Sequence, residues 1–359
     1  MAGDQKRTLR RLAVLDIVRA IAALAVCLYH FGDSLPGGGI GRRIAQHGHL
    51  GVHMFFILSG FVVPLSLSRD TGSLSQRVSS FIVGRFGRVY LPYLSAFALT
   101  LIFHYAASLH PDFQGTQPEL GAHSVVAHVT LAVGEVGLAW VNPVFWTLAI
   151  ECQFYLVCTL ALALPAKQRP LIAGAVAALM IFSNITSGPS FLRWTPYFAL
   201  GFSLLGFGSR LQKPAATLAV VSLIKIYFLG GFLTVAIAGL SVFAIFAAAW
   251  LQKFAVRRRL LLYVGAISYS LYLLHVPVGG KICNLLERSA SGDGQRVLVV
   301  LVAVAASIVV AHTHYKFVEV PCYQWSKALA VRVRERMSPI EERSAQKAEL
   351  VVQPELTEQ

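Results

Sequence analysis

The sequence predicts an all-α polytopic membrane protein with about ten transmembrane helices and both termini in the cytoplasm. Hydrophobic residues make up 56% of the 359 residues, and charged residues make up only 13%. Soluble domains carry about 25% charged residues, and they cannot bury so large an apolar share. This composition disfavours an ordinary soluble enzyme, a disordered chain and a disulfide scaffold, and it favours a chain surrounded by lipid.

Ten apolar runs are long enough to cross a bilayer, which requires about 20 helical residues. They lie near 12–31, 50–67, 88–108, 146–165, 170–187, 193–209, 214–230, 231–251, 260–280 and 296–318. The seventh and eighth runs meet at Gly230-Gly231, and the seventh contains Lys225. One broken helix with a re-entrant piece is therefore an alternative there. The expected division is a basic tail at 1–11, a transmembrane domain at 12–323 and a polar tail at 324–359.

The Lys and Arg residues are distributed unevenly between the two sides of the predicted membrane. Of the 31, 22 lie in the loops and tails on one side, six lie in the alternate loops and three lie within spans. Cytoplasmic loops carry the excess of Lys and Arg in membrane proteins. The split therefore predicts cytoplasmic termini and an even number of spans. It also accounts for the net charge of +14 without a nucleic-acid partner.

The predicted outer loop at 109–145 contains no Lys or Arg. It is too long for a simple connector. We expect it either to form part of a site or to contribute an interfacial helix and a turn. No metal site is expected, because Cys27-x-x-His30 and His312-x-His314 lack further ligands at suitable spacing.

The first span carries three polar residues on one face. Arg19 and His30 are eleven residues apart, which is about 20° past three full turns and about 16 Å along the axis. Asp16 lies within about 40° of the same face. A charge in the bilayer core costs about 2.5–3.5 kcal/mol, so each such residue is a candidate functional group. The predicted orientation puts Arg19 in the inner half and His30 near the outer surface.

Four titratable residues from four predicted spans are expected at similar depth in the outer half of the membrane. They are His30, His53, Glu151 and His275. A glutamate beside a histidine orients it and stabilises its protonated form, which suits the histidine to act as a general base. The sequence thus predicts an acid/base site near the outer surface, although a single histidine at a membrane interface is commonplace.

A second cluster is predicted at the inner side. Arg85-Phe86-Gly87-Arg88 places two guanidinium groups three residues apart on one helical face. Such a pair suits bidentate phosphate binding, and a positive-inside anchor before the third span is equally compatible with it. Glu319, at the cytoplasmic end of the last span, is a candidate partner for one of these arginines. We predict an inner anion site joined to the outer site by the polar face of the first span.

The chain resembles the acyltransferase 3 family of bacterial integral-membrane O-acyltransferases in six segments that follow one another in order. The segments are Leu15-Asp16 through Arg19 to His30, then 51–61, 85–88 with Tyr90-Leu91-Pro92, Trp146-Thr147-Leu148 with Glu151, Phe154 and Tyr155, then 268–275 and 317–321. Together they extend from about residue 12 to residue 323, which is nearly the whole predicted membrane part.

The resemblance implies an enzyme of the bacterial inner membrane. Such an enzyme transfers an acyl group, often acetyl, from cytoplasmic acyl-CoA to a hydroxyl of a glycan, a glycolipid or a similar acceptor. It implies that His30 and Glu151 are catalytic, with His30 as the general base or, alternatively, as the carrier of the acyl group. It also implies that Arg19, Arg85 and Arg88 serve the donor.

The same resemblance implies an outer or acceptor site at His53, His275, Trp146 and Tyr155, with Asp16 and Glu319 in support. His53 departs from the family pattern, in which an acidic residue is more frequent. Acyl-CoA is expected as a co-substrate rather than a bound cofactor. The expected partners are a carbohydrate or lipid-linked sugar, membrane lipid and glycan-assembly proteins. The glycan-assembly proteins are expected because the sequence has no room for the outer hydrolase-like domain that is fused to some relatives.

Two other functions compete with the transferase. A transporter or flippase would use His30, Glu151 and His275 as a proton relay. The arginine pair and the lack of an internal repeat favour the enzyme over the transporter. A catalytically silent relative that binds a partner is the second alternative, and the intact set of Arg19, His30 and Glu151 argues against it.

Overall fold

The computed structural model describes residues 13–109, 111, 120–163, 178, 191–248 and 258–337. Within these residues the chain forms helices and no strand. The helices are α1 (Ala13–Phe31), α2 (Ile40–Gln46), α3 (Leu50–Ser68), α4 (Leu74–Arg85), α5 (Leu91–Ser108), α6 (Ala122–Val129), α7 (Trp146–Ala163), α8 (Phe191–Ser203), α9 (Gln212–Phe246), α10 (Arg259–Ala266), α11 (Ser268–His275), α12 (Lys281–Leu286), α13 (Asp293–His314) and α14 (Val320–Met337).

Six of the described helical segments are long and apolar enough to cross a membrane, and a bent pair at 259–266 and 268–289 makes a seventh. The predicted all-α membrane fold is confirmed to this extent, and the count of about ten spans is not. The span predicted at 170–187 lies outside the described residues. The run predicted at 193–209 forms α8, whose 13 residues are fewer than a crossing requires. The cytoplasmic location of the termini stays a prediction.

Helix α9 is broken where the sequence places the junction of two spans. Gly231 has φ 73° and ψ −169°, which is far from helical geometry. The ring of Phe246, at the end of α9, lies 5.5 Å from the ring of Phe207, just before its start. A straight helix of 35 residues would separate its ends by about 50 Å. The two arms therefore fold back on each other. This is expected for the predicted runs 214–230 and 231–251, of which the second is described up to residue 248.

Small residues let the central helices approach closely. A Cβ atom on Gly201 of α8 would collide with the backbone carbonyl of Ile57 in α3, and one on Gly60 would collide with the carbonyl of Phe198. Gly51 meets the carbonyl of Ala22 in α1 in the same way. Such contacts replace hydrophobic collapse as the source of helix association in lipid. They fix α3 between α1 and α8.

The segment after α5 returns to the beginning of that helix. The hydroxyl of Tyr90 donates to the carbonyl of Val129 at 2.6 Å, and the hydroxyl of Tyr93 donates to the carbonyl of His128 at 2.7 Å. The ring of Phe145 lies 4.9 Å from the ring of Tyr93. Helix α7 therefore begins at the level of Tyr93 and not at the outer end of α5. The described part of the predicted outer loop packs into the molecule.

Three π-helical turns interrupt the long helices, at Phe86–Tyr90, Val276–Gly280 and Tyr315–Glu319. The first contains Arg88, the second directly follows His275 and the third ends at Glu319. A π-turn removes one regular backbone hydrogen bond and is frequent at functional sites. Each of the three therefore lies beside a residue that the sequence selects as a candidate.

The polar region predicted at 324–359 begins inside a helix. Helix α14 extends to Met337 and packs against α4. The Arg334 guanidinium pairs with the Asp70 carboxylate at 3.0 Å, and the side-chain amide of Gln76 donates to the carbonyl of Arg334 at 3.2 Å. Residues 338–359 lie outside the described part of the chain.

Candidate active site

Three arginines from two regions of the chain lie together, and we call Arg19, Arg85 and Arg88 the arginine cluster. Arg88 is within electrostatic reach of both Arg19 and Arg85. The Nε atom of Arg19 donates to the hydroxyl of Ser268 at 3.2 Å, which ties α1 to α11. The first span, the predicted Arg-x-x-Arg segment and the Ser268–His275 segment are therefore brought to one place.

Aromatic rings support two of these guanidinium groups. The Arg85 guanidinium lies 5.3 Å from the centre of the Phe81 ring and 4.9 Å from that of Tyr155. The Arg88 guanidinium lies 5.6 Å from the ring centre of Tyr323. A cation over a ring face is stabilised by about 0.5–2 kcal/mol. These contacts orient the guanidinium groups while leaving N–H donors for an anion.

Glu319 lies beside the arginine cluster, as the sequence suggests. Its carboxylate is within electrostatic reach of Arg19 and Arg88. The Ser270 hydroxyl donates to Glu319 Oε2 at 2.6 Å and also contacts His314 Nδ1 at 2.9 Å. Because the single hydroxyl proton goes to the carboxylate, the histidine donates to Ser270. This chain of hydrogen bonds holds the carboxylate in place.

Glu151 is linked to the arginine cluster through Tyr155, and its predicted depth near the outer histidines stays a prediction. Its carboxylate accepts hydrogen bonds from the Ser59 hydroxyl at 3.2 Å and from the Tyr155 hydroxyl. The ring of Tyr155 in turn contacts Arg85. Helix α7 begins beside Tyr93, near the beginning of α5, and this start brings Tyr155 and Glu151 to Arg85. Tyr155, predicted for the outer site, lies here too.

His30 and His275 form a pair at the C-terminal end of α1. Their ring centres are 5.2 Å apart. His275 is fully buried, and its Nδ1 contacts the carbonyls of Leu271 at 3.1 Å and Tyr272 at 2.9 Å. Carbonyl oxygens only accept hydrogen bonds, so Nδ1 carries the proton. His30 is half-buried and is the more accessible ring.

His53 lies in an aromatic cluster on α3, α7 and α8. Its ring stacks on Tyr197 at 4.5 Å and lies 5.5 Å from Trp194. Trp146 contacts Trp194 at 4.9 Å. We call His53, Trp146, Trp194 and Tyr197 the aromatic cluster. The structure thus joins two of the predicted outer residues, His53 and Trp146, through Trp194. Ring contacts through His49 and Tyr29 connect His53 to His30.

Several polar residues near the site were missed by the sequence analysis. The Tyr272 hydroxyl contacts Thr147 Oγ1 at 2.9 Å, and Tyr272 lies 6.0 Å from the His275 ring. Tyr272 is also within electrostatic reach of Glu151. It therefore lies between the histidine pair and α7. The sequence analysis identified the Ser268–His275 segment that contains Tyr272. Periodicity alone does not show which polar residues of this segment face the site.

Asp16 lies one turn before Arg19 and packs through its backbone against Gly265 of α10. It is half-buried at the point where α1 and α10 touch. Among the described residues, no group of three His, Cys, Asp or Glu side chains is arranged to hold a metal ion.

A family model described as an acyltransferase domain, acyltransferase 3, matches residues 12–315. The chain belongs to the acyltransferase 3 family. The match covers α1 through the beginning of the last π-turn, so the arginine cluster, the histidine pair and the aromatic cluster all lie within this acyltransferase 3 domain. No solved structure shows significant similarity to the chain.

Two similar proteins of this family carry names that describe an activity. The chain is 25% identical over 356 residues to the peptidoglycan O-acetyltransferase OatA of Listeria monocytogenes, covering 86% of this chain and 55% of that protein. It is 25% identical over 364 residues to the O-acetyltransferase OatA of Staphylococcus aureus, covering 87% of this chain and 57% of that protein. The acyltransferase 3 chain therefore spans little more than half the length of these curated relatives.

Proposed function

We propose that the protein is a membrane O-acyltransferase that moves an acyl group, acetyl in the first instance, from acyl-CoA to a hydroxyl of a glycan or a lipid-linked sugar. Family membership supports the class of reaction, and the names of the relatives support acetyl and a carbohydrate acceptor. A cytoplasmic donor places the protein in the bacterial inner membrane, which agrees with the Lys and Arg distribution.

The observation that carries this proposal is the arginine cluster. Arg88 is half-buried and lies within electrostatic reach of both Arg19 and Arg85. The single Glu319 carboxylate beside Arg19 and Arg88 offsets only part of this positive charge, so a bound anion would further reduce the repulsion between the arginines. Guanidinium groups bind phosphate bidentately. We infer that the phosphates of CoA occupy this place, where Ser268 orients Arg19 and Glu319 lies beside Arg19 and Arg88.

We propose that His30 performs the acid/base step. A ring nitrogen of His30 removes the proton of the acceptor hydroxyl, and the oxygen attacks the carbonyl carbon of the thioester. The new C–O bond forms, the C–S bond breaks, and the CoA thiolate leaves and takes up the proton from His30. The alternative is transfer of the acyl group first to the His30 nitrogen and then to the acceptor.

Glu151 supports the donor side of this reaction. Because Glu151 and Arg85 share Tyr155 as a neighbour, the carboxylate counterbalances the arginine cluster when the donor is absent. This proposal replaces the expected contact between Glu151 and His30.

The aromatic cluster supports a carbohydrate acceptor. The faces of Trp and Tyr rings are apolar and end in polar atoms, which suits them to the alternating apolar and hydroxyl surface of a sugar. Trp146 and Trp194 are both half-buried, so part of each ring is accessible. Lipopolysaccharide, exopolysaccharide, lipid-linked sugar, peptidoglycan and small metabolites are the acceptors to be compared.

The test uses purified protein in detergent with radiolabelled acetyl-CoA, and it compares wild type with His30→Ala. The matched control is His47→Ala, because His47 is exposed and lies after α2. We expect all three proteins to bind the donor, and His30→Ala to move label to water or to sugar acceptors only at a small residual rate compared with wild type and the control. If no protein binds acetyl-CoA or a longer acyl-CoA, the donor site is refuted and the proton-relay transporter becomes the better explanation.

A further inference from the structure

The buried histidine next to His30 has one ring nitrogen without a partner. His275 Nδ1 is protonated, because it faces only the carbonyl oxygens of Leu271 and Tyr272. In the neutral ring, Nε2 is then a lone-pair acceptor. It is buried without a hydrogen-bond partner, and His275 is 0% exposed. An unsatisfied buried acceptor is destabilising, so its presence in a folded protein calls for an explanation.

The nearest group able to donate to this nitrogen is His30. The two ring centres are 5.2 Å apart and the rings are tilted by 54°. Because ring nitrogens lie on the perimeter, this separation allows a hydrogen-bond length between facing nitrogen atoms. His275 is fixed by its two backbone contacts, whereas His30 is half-buried and its ring contacts only Tyr29 and His275 among the aromatic side chains of the described residues. Hydrogen bonds of this kind are often incomplete before substrate binds.

The other neighbours of His275 do not replace His30 in this respect. Phe31, whose ring centre is 6.1 Å away, has no polar atom. The Tyr272 hydroxyl is engaged with Thr147. Glu151, the residue expected to orient His30, is hydrogen-bonded to Ser59 and Tyr155.

We propose that His275 is a positioning residue for His30. Its Nε2 accepts the ring N–H of His30, which fixes the tautomer and orientation of that ring and leaves the opposite nitrogen of His30 free to take the acceptor proton. The backbone carbonyls of α11 thus act on His30 through His275, in the place that a carboxylate holds in a Ser-His-Asp triad. This inference rests on the proposed function of His30.

The test measures acetyl transfer by four variants at positions 275 and 30, which are His275→Phe, His275→Gln, His30→Ala and a double variant. His275→Phe keeps a ring of similar size but has no acceptor, and His275→Gln offers an amide oxygen near the place of Nε2. We expect His275→Phe to lower kcat about 10–100-fold, as is usual when the partner that orients a functional histidine is lost. The dissociation constant and KM for acetyl-CoA should stay unchanged. His275→Gln should recover most of kcat.

A double variant separates positioning from general damage to the fold. If His275 acts through His30, then His30→Ala combined with His275→Phe should be no slower than His30→Ala alone. Losses that multiply in the double variant would overturn the proposal. So would His275→Gln being as slow as His275→Phe, or His275→Phe keeping the wild-type kcat. Failure of the wild type itself to transfer label refutes the proposed function, which separates that result from a failure at His275.

Discussion

The hydroxyl of Tyr155 donates a hydrogen bond to the carboxylate of Glu151 one helical turn earlier in α7. The ring of the same tyrosine lies 4.9 Å from the Arg85 guanidinium. One side chain therefore connects the only acidic residue of α7 with the arginine cluster. The polar end and the ring face of Tyr155 act on different partners, so they can be separated by mutation.

Tyr155→Phe keeps the ring and removes the hydroxyl. We expect kcat for acetyl transfer to fall about tenfold, because a hydrogen bond to a charged group contributes about 1.5 kcal/mol or more. KM for acetyl-CoA should change little, since the ring still supports Arg85. Steady-state kinetics measures both constants. Tyr227→Phe, at an exposed position of α9, is the matched control, and equal losses in both variants would contradict the expectation.

Arg88→Lys keeps the charge and removes the fork of N–H donors. A lysine cannot bind phosphate bidentately, so we expect the dissociation constant for acetyl-CoA to rise about tenfold, which corresponds to about 1.4 kcal/mol. Equilibrium binding of radiolabelled donor gives the constant. Arg43→Lys, at an exposed position of α2, should bind as wild type does. An unchanged constant for Arg88→Lys would show that Arg88 only anchors the helix.

Gly201→Ala tests the close contact of α8 with α3. The new Cβ atom would collide with the Ile57 carbonyl and lie 2.9 Å from the Phe61 amide nitrogen. Overpacking of this kind costs about 1–3 kcal/mol, so we expect a lower Tm in detergent. Gly239→Ala adds the same atom where nothing lies within 4 Å, and its Tm should not fall. Equal Tm values for the two variants would contradict the close packing.

We predict that a contact of His128 is sensitive to acid. This residue lies in the segment that follows α5 and returns to the beginning of that helix. Its Nδ1 donates to the Ser124 carbonyl at 2.8 Å, and its Nε2 accepts from the Val141 amide at 3.1 Å. Protonation of Nε2 breaks the second bond. Burial lowers the pKa of His128 below its usual 6.5, although the bond to Ser124 opposes this shift. The folded protein therefore prefers the neutral ring.

The direction of the pH effect on stability follows from the number of protons that the folded and the unfolded chain bind. The unfolded chain protonates this histidine as the pH falls through about 6.5 and the folded chain does not, so the stability contributed by His128 is present above that pH and lost below it. We expect the Tm difference between pH values of about 7.5 and 5.5 to shrink in His128→Gln. His123→Gln, at an exposed position of α6, should retain the wild-type difference. The same difference in all three proteins would refute the assignment.

The orientation in the membrane is predicted by the charge distribution and is testable by labelling. In a chain whose five native cysteines are replaced by alanine, Ser75→Cys should react with an impermeant maleimide only from the cytoplasmic side. His123→Cys should react only from the outer side. Both positions are exposed. Reaction of both cysteines from one side would overturn the predicted orientation.

Local periodicity was sufficient to predict part of this molecule. Arg19 and His30 lie on one helix, so the spacing of 3.6 residues per turn determines their shared face and separation. The break at Gly230-Gly231 was also predictable, because two glycines interrupt an apolar run that is longer than one membrane span. The choice between two spans and one broken helix with a re-entrant piece depends on a long-range contact between Phe207 and Phe246.

The position of Glu151 was not predictable in the same way. The start of α7, and with it the placement of Glu151, depends on hydrogen bonds from Tyr90 and Tyr93 to the chain about 35–39 residues later. Local sequence patterns do not predict such long-range contacts. The pairing of His53 with Trp194 and Tyr197 likewise arises from the packing of α3 on α8. Tertiary contacts therefore decided which of the predicted residues meet.

The separation of Arg19 and His30 along α1 sets a minimum reach for the donor. The eleven-residue rise is about 16 Å. A donor whose phosphates bind at the arginines delivers its acyl carbon to His30 only through a flexible arm of at least this length. Acetyl phosphate has no such arm, and its acyl group would stop among the guanidinium groups. The helix would thus select acyl donors by their length, before any contact with the acyl chain itself.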